Sequence, residues 1–418
     1  MFKILINAYA CSPNMGSEPG MAWNWCVNLA KYCELHIITE GEFQDKIERI
    51  LPTLPQGQNM HFYYNPVSNK IRRMCWNQGD WRFYYYYQKW QKETLKIAKE
   101  IIQQTQIDLI HQLNMVGFRE PGYLWEIDKP LIWGPIAGIG SIPYSFLKGA
   151  GIKYTTFFLL KNFITKIQLK YSPRVRKAIK KAQYVITATP EAQHAIQNAY
   201  NINPILINET GCFTKQNNES INTKKNIETF DILWVGRFIY TKQLKLALDT
   251  ISQLKNLQGI RFHIVGQAFT DEETQIYHQY ANSLGINNIC KWYNFISNEE
   301  VHLLMKKCHL FFFTSIFEAT STVILEAITN QLPILCFDRC GFGPIVSKEI
   351  GLKIPLTTPE QAIIDFTEKI TYLYQNRDLL QKLAEGCKEK SKELSWENKV
   401  KQMIELYKQV HYYKMAKV

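Results

Sequence analysis

Short apolar runs rich in β-branched and aromatic residues recur along this chain, separated by stretches with helical spacing, and the series occurs twice. FKILINAY, LHIIT, MHFYY, DLIHQ, PLIWG, YVITA and PILIN form the first series; DILWVG, RFHIVG, CKWYNF, LFFFTS and PILCF form the second. Strands that are apolar on both faces need helices on both sides, which is the layering of parallel α/β sheets. Between the series lies KQNNESINTKKNIE, residues 215–228, polar, charged and free of aromatics, which reads as a linker. At 418 residues the chain exceeds one ordinary core. The pattern therefore predicts two doubly wound, Rossmann-like α/β domains facing a central cleft, residues 1–214 and 229–394. A closing segment, 395–418, follows the break at Leu394-Ser395, and its helix from Trp396 to about Val410 is expected to return to the first domain.

Composition narrows the setting. Apolar residues make up 46% and charged residues 21%, ordinary for a globular chain, and no apolar run reaches the ~18 residues that span a bilayer. The opening residues read as a first strand rather than a signal peptide. Ten cysteines lack CxxC or similar spacing, so neither a zinc site nor a disulfide framework is indicated, and a cytoplasmic setting is expected. The sequons at Asn208 and Asn218 then carry little meaning.

The net charge of +12 is concentrated: from Lys129 to Pro190 there are eleven Lys and Arg and no Asp or Glu. Within that segment FFLLKNFITKIQLKY sets Phe157, Leu160, Phe163, Ile164, Ile167 and Tyr171 at helical spacing, with Lys161, Lys166 and Lys170 off the stripe. A basic amphipathic helix of this kind suits an anionic membrane surface. Nucleic acid, the other usual partner of basic patches, is not expected. The plain alternative is that the stripe packs on the protein's own core and the lysines are solvated.

Chemistry gathers in the second half. DILWVGRF ends a strand at Gly236 and offers Arg237, with Lys242 five residues on; HIVGQAF ends another at Gly266; TSIFEATST ends a third before a short helix expected from Thr322 to Asn330, capped by Thr320 or Ser321. In a parallel sheet such ends share one crevice. Two cations and a helix N-terminus there suffice to hold a diphosphate. The chain has no Asp-x-Asp pair of the type that carries a divalent ion beside a nucleotide diphosphate, so no metal is expected. Glu318 and Glu326 flank the helix start.

WVGRF…TK, IVG, the spacing S-x-x-E-x7-E-A from Ser315 to Ala327, and LPILCFDRCGFG together resemble the donor half of GT-B glycosyltransferases of family 4. GSEPGMAWNW and WGPIAGIG resemble a bacterial subgroup used in surface-polysaccharide assembly. The resemblance covers nearly the whole chain and implies a retaining, metal-independent glycosyltransferase without a cofactor. Its donor would be a UDP- or GDP-sugar and its acceptor a glycan or lipid-diphosphate-linked glycan. It implies that Arg237 and Lys242 bind the donor diphosphate, with Ser321 and Thr322 at the helix start. Glu318 would lie against the transferred sugar and Glu326 would accept from the ribose hydroxyls. Gly16 would let the first-domain loop approach the diphosphate.

The sequence departs from the family pattern in three places. The usual Lys-Gly pair is Lys242-Gln243, the usual glycine before the last donor strand is Gln331, and Gly134-Pro135 stands where many members carry a histidine. His111, ending DLIHQ, is the nearest replacement as a first-domain polar or catalytic contact. A nucleotide-sugar 2-epimerase shares the architecture, but its pattern of carboxylates and histidines is not evident here. A membrane-bound scaffold with a degenerate donor site is the non-enzymatic rival, against which Arg237, Lys242, Glu318 and Glu326 argue. A dinucleotide oxidoreductase lacks its G-x-G-x-x-G after the first strand.

Overall fold

The computed structural model describes residues 1–77, 80–213 and 228–415, with the side chains of 411–415 left aside. All but one residue of the polar stretch 215–228 lie outside these bounds. The chain packs as two units. One comprises Met1–Ile139, Phe163–Thr210 and Trp396–Val418; the other comprises Gly140–Asn162 and Gly211–Ser395.

The first unit is built on β1 (Phe2–Ala8), β2 (Cys33–Thr39), β3 (Met60–Tyr64), β4 (Leu109–Asn114), β5 (Leu131–Ile136), β6 (Tyr184–Thr187) and β7 (Ile205–Leu206). The seven strands lie in the order β3-β2-β1-β4-β5-β6-β7, every pair parallel. The second unit carries β8 (Phe230–Val235), β9 (Ile260–Val265), β10 (Cys290–Tyr293), β11 (Leu310–Phe313), β12 (Ile334–Phe337) and β13 (Gly351–Ile354), in the parallel order β10-β9-β8-β11-β12-β13. Each sheet thus reverses its winding once, between β1 and β4 and between β8 and β11. Such reversal points open a crevice beyond the C-terminal strand ends.

Each strand expected from the apolar runs is present. Burial explains why: β4 and β5 are buried along their whole length, as are β11 and β12. The first helix runs Ser17–Leu29. The last helix runs Trp396–Met415 and packs in the first unit, its Trp396 edge-on to Trp25 with ring centres 5.5 Å apart. Trp25, Trp396, Val400, Met403 and Tyr407 share one buried cluster.

The unit boundary differs from the division at residue 214. Residues 140–162 pack with the second sheet: Phe146 and Phe158 join its core, and Phe146 stands edge-on to Phe337. The basic helix, Ile152–Tyr171, runs across this boundary. Its apolar stripe does not pack on a core. Phe157, Leu160, Phe163 and Tyr171 are each about 60% exposed (59, 59, 62 and 60%), and Ile164 and Ile167 are exposed as well. The buried face is a different one, Phe158, Thr165 and Leu169. Lys166 and Lys170 are exposed, whereas Lys161 lies over the rings of Phe158 and Phe317, 5.6 and 4.5 Å from their centres. Among the described residues no helix is long and apolar enough to cross a membrane.

Candidate active site

The crevice of the second sheet is set by its strand ends. Beyond β9, Gly266 adopts φ +127°, and a Cβ there would fall 2.0 Å from the Gly236 carbonyl oxygen. Only glycine lets the two strand ends run this close. The loop after β8 is pinned to the loop after β11. The Trp234 indole N–H donates to Thr314 Oγ1 at 2.9 Å, and the Thr314 hydroxyl donates to the Lys242 carbonyl at 2.7 Å. The Ile316 N–H donates to the Thr241 carbonyl at 2.8 Å. These bonds bridge the β8/β11 reversal point.

On that frame Lys242 Nζ lies 2.5 Å from Glu318 Oε1, and the Ser315 hydroxyl donates to the same oxygen at 2.7 Å. The two side chains are only 16% and 18% exposed. Charges this far from solvent hold each other in a fixed geometry, and the pair sits where the loops after β8 and β11 meet. Arg237, on the same β8 loop, is exposed, its guanidinium 5.8 Å from the Phe269 ring centre.

The helix after β11 spans Thr322–Thr329. Ile324, Leu325, Ala327 and Ile328 are buried, while Thr322 and Glu326 share the opposite face, exposed and half-buried. Ser321 takes the N-cap position at φ 73°, and its own side chain makes no capping hydrogen bond. Helix N-termini present backbone N–H groups and a positive dipole end that suit an anion. Glu326 Oε1 accepts from Asn298 Nδ2 at 3.4 Å.

The two glycines replaced in this chain fall at left-handed positions. Gln243 adopts φ 55°, ψ 42°, its side-chain amide donating to the Tyr240 carbonyl at 2.8 Å; Gln331 adopts φ 55°. The Gln243 turn places Lys242 as the last residue of a short 3-10 turn, so the lysine keeps its position without the glycine.

In the first unit, Gly16 is the N-cap of the helix Ser17–Leu29, with extended backbone and nothing within 4 Å of a Cβ added there. The unit itself does not require glycine at 16; in this stretch it is Gly20 that must be glycine, since a Cβ there would meet the Met15 carbonyl oxygen at 1.8 Å. His111 faces the core of the first unit. It is fully buried, Nδ1 lies 2.6 Å from the Tyr407 hydroxyl, and Nε2 lies 2.7 Å from the Gly134 carbonyl. Burial pushes its pKa down to about 4. With both nitrogens engaged by the core, it is a packing and anchoring residue for the last helix.

Sequence reasoning passed over Glu18, two residues beyond Gly16. It stands at the β1/β4 reversal point, half-buried, its Oε1 accepting from the Val116 N–H at 3.2 Å. Burial pushes its carboxyl up to about 7. In the same unit Tyr84, Arg119, Glu120, Ile164, Gln168 and Arg174 line a cavity of about 340 Å³, where Arg174 is paired with Glu120 at 2.6 Å. A carboxylate in a glycine-rich loop directly after the first strand was the available signal.

Residues 215–394 match the protein family described as Glycosyl transferases group 1. The match lies in the second half of the chain. An uncharacterized glycosyltransferase of Methanocaldococcus jannaschii is 27% identical over 181 residues, 43% of this chain, and the match spans 48%, about half, of that relative's length. A solved glycosyltransferase from Rickettsia africae ESF-5 aligns over 98% of both chains with a TM-score of 0.64 at 16% identity. HepE of Anabaena, solved with UDP-glucose, aligns over 98% of this chain and 100% of its own with a TM-score of 0.62 at 15% identity. Together with the two parallel sheets, these likenesses establish the fold as GT-B.

Proposed function

We propose that this protein is a retaining glycosyltransferase of family 4 that moves a sugar from a nucleotide-diphosphate sugar to a lipid-diphosphate-linked glycan in surface-polysaccharide synthesis. The observation that carries the reading is the Lys242–Glu318 pair at the β8/β11 reversal point, beside the start of the helix Thr322–Thr329, in the stretch that matches the group 1 glycosyltransferases. HepE, which shares the fold, binds UDP-glucose, which favours a nucleotide-sugar donor here as well.

In this reading the donor diphosphate lies at the start of the helix Thr322–Thr329, between Arg237 and Lys242, with Ser321 and Thr322 at its edge. The sugar faces Glu318 and the ribose hydroxyls donate to Glu326. As the bond from the anomeric carbon to the phosphate oxygen breaks, charge grows on the diphosphate, and Arg237, Lys242 and the helix N–H groups offset it without a metal. The acceptor hydroxyl forms the new bond on the same face, and its proton passes to the departing phosphate. Glu18, at the β1/β4 reversal point, and Arg119, in the first-unit cavity, hold the acceptor, and Gly16 leaves its loop open to the donor. The exposed stripe on Ile152–Tyr171, with Lys166 and Lys170, holds the enzyme on the anionic inner face of the cell membrane, where such acceptors reside.

A panel of UDP- and GDP-sugars tested by thermal shift identifies the donor, because a ligand that binds only the folded state stabilises it by mass action. Release of nucleotide diphosphate that rises on adding a membrane acceptor fraction is the expected result. Epimerised nucleotide sugar, or no response to any sugar nucleotide, defeats the proposal.

A further inference from the structure

The N-terminal edge of the first sheet, the end opposite the crevice, carries a second constellation. Glu34 and His36 lie two residues apart on β2 and so project from one face. His61 of β3 is the register partner of His36, and Lys3 of β1 is the register partner of Glu34. Glu34 Oε1 lies 3.2 Å from His36 Nε2 and 3.6 Å from His61 Nε2, and one donor atom from each of the three residues falls within 4.8 Å of the others.

These spacings can be tested against a real coordination sphere. Zinc holds nitrogen and oxygen ligands at about 2.0–2.1 Å in a tetrahedron, which sets neighbouring donor atoms about 3.3–3.4 Å apart. The two separations from Glu34 Oε1 bracket that value, and the donor atoms of His36 and His61 lie within 4.8 Å of each other. The remaining ring nitrogen of His36, Nδ1, lies 3.0 Å from the Tyr63 hydroxyl, the kind of outer contact that fixes the orientation of a ligating imidazole. His36 is buried, while the His61 side chain is 45% exposed, so one side of the cluster is open to an entering ion and to a water as fourth ligand.

We propose that Glu34, His36 and His61 bind a divalent transition-metal ion, zinc by preference, at a site that ties the edge strand β3 to the centre of the first sheet. Two imidazoles and a carboxylate suit zinc and its neighbours far better than calcium or magnesium. Lys3 Nζ, 3.0 Å from Glu34 Oε1, competes with the ion for the carboxylate; its side chain is 39% exposed and turns to solvent when the dication enters. The site does not rest on the glycosyltransferase reading.

The test uses the full chain titrated with zinc against a chromophoric chelator, and with cobalt as a spectroscopic probe. One ion per chain is expected, with the weak bands of nitrogen and oxygen ligation and no thiolate charge-transfer band. That band distinguishes the site from adventitious binding by the ten cysteines. His61→Ala, at an exposed position that leaves the fold intact, should weaken binding at least about tenfold, and Lys3→Met should tighten it. Binding unchanged in both His61→Ala and Glu34→Gln, a thiolate spectrum, or no binding by the wild type at micromolar zinc would overturn the site.

Discussion

Lys242 Nζ stands 2.5 Å from Glu318 Oε1, so the cation proposed for the diphosphate and the carboxylate proposed for the sugar already hold each other. Truncating either one has two separable effects. Lys242→Ala should lower turnover about 100-fold or more, the scale of a lost charge-stabilising donor. It should also cost about 1–3 kcal/mol of stability, because Glu318 keeps only the Ser315 hydroxyl in a largely buried place. Steady-state rates and melting curves read the two separately, and wild-type turnover in a folded Lys242→Ala protein would remove the lysine from the mechanism.

Glu326 and Glu318 should fail differently. Glu326 lies on the helix face shared with Thr322, and its one hydrogen bond to Asn298 is long at 3.4 Å, so it is available to the ribose. Glu326→Ala is expected to raise the dissociation constant for nucleotide with little change in turnover, whereas Glu318→Ala lowers turnover with little change in affinity. Calorimetry with the nucleotide diphosphate beside single-turnover rates checks this; the opposite pattern would reverse the assignment of the two carboxylates.

Gln331 offers a test free of catalysis. At φ 55° an L-residue bears about 1–2 kcal/mol of strain that glycine escapes, offset by glycine's larger entropy when unfolded, about 0.5–1 kcal/mol. Gln331→Gly should therefore stabilise the protein by about 0.5 kcal/mol, and Gln331→Val should destabilise it by more than that. Denaturant midpoints measure both, and a destabilised glycine variant would refute the strain argument.

These positions show what the sequence made legible. The strands and the β8 and β11 loops followed from apolar runs and glycine ends, because a parallel sheet buried on both faces leaves few alternatives. The left-handed turn at Gln243 was hidden, since glutamine carries no signal for positive φ and its amide bond to Tyr240 arises only in three dimensions. The surroundings of His111 were hidden for the same kind of reason. A strand-end histidine looks alike in sequence whether it faces a crevice or, as here, the Tyr407 hydroxyl 296 residues away. Glu18 was hidden because its raised pKa comes from burial, which no local pattern records.

Glu18 predicts a pH dependence. Its carboxyl moves from 4.5 when unfolded up to about 7 when folded, so between those values the folded state binds more protons. Stability then falls as pH rises through that window, and the loss is complete above about 7. Glu18→Gln should remove this slope and be more stable than wild type at pH 8. If ionised Glu18 accepts from the acceptor hydroxyl, wild-type turnover with acceptor should rise with pH near 7, and that limb should vanish in Glu18→Gln. An unchanged pH profile in the variant would exclude Glu18 from the reaction.

The exposed helix makes the last prediction. Phe157, Leu160, Phe163, Ile164, Ile167 and Tyr171 present a stripe of large apolar side chains to solvent, an arrangement that soluble surfaces rarely keep without a partner. Lys166 and Lys170 flank it in solvent, but Lys161 is turned onto Phe158 and Phe317, so the three lysines are not equivalent. A lysine near an anionic surface contributes about 1 kcal/mol. Replacing both Lys166 and Lys170 by Gln should therefore weaken binding to anionic vesicles by roughly 25-fold, since about 1.4 kcal/mol is tenfold. Lys161→Gln should leave vesicle binding nearly unchanged, and Leu160→Ser with Ile167→Ser should abolish it even at low salt. Co-sedimentation across a series of lipid charge and ionic strength measures all three, and the electrostatic part should fade as salt shortens the screening length. If the wild type ignores anionic vesicles at low salt, the stripe serves another partner and the membrane role is wrong.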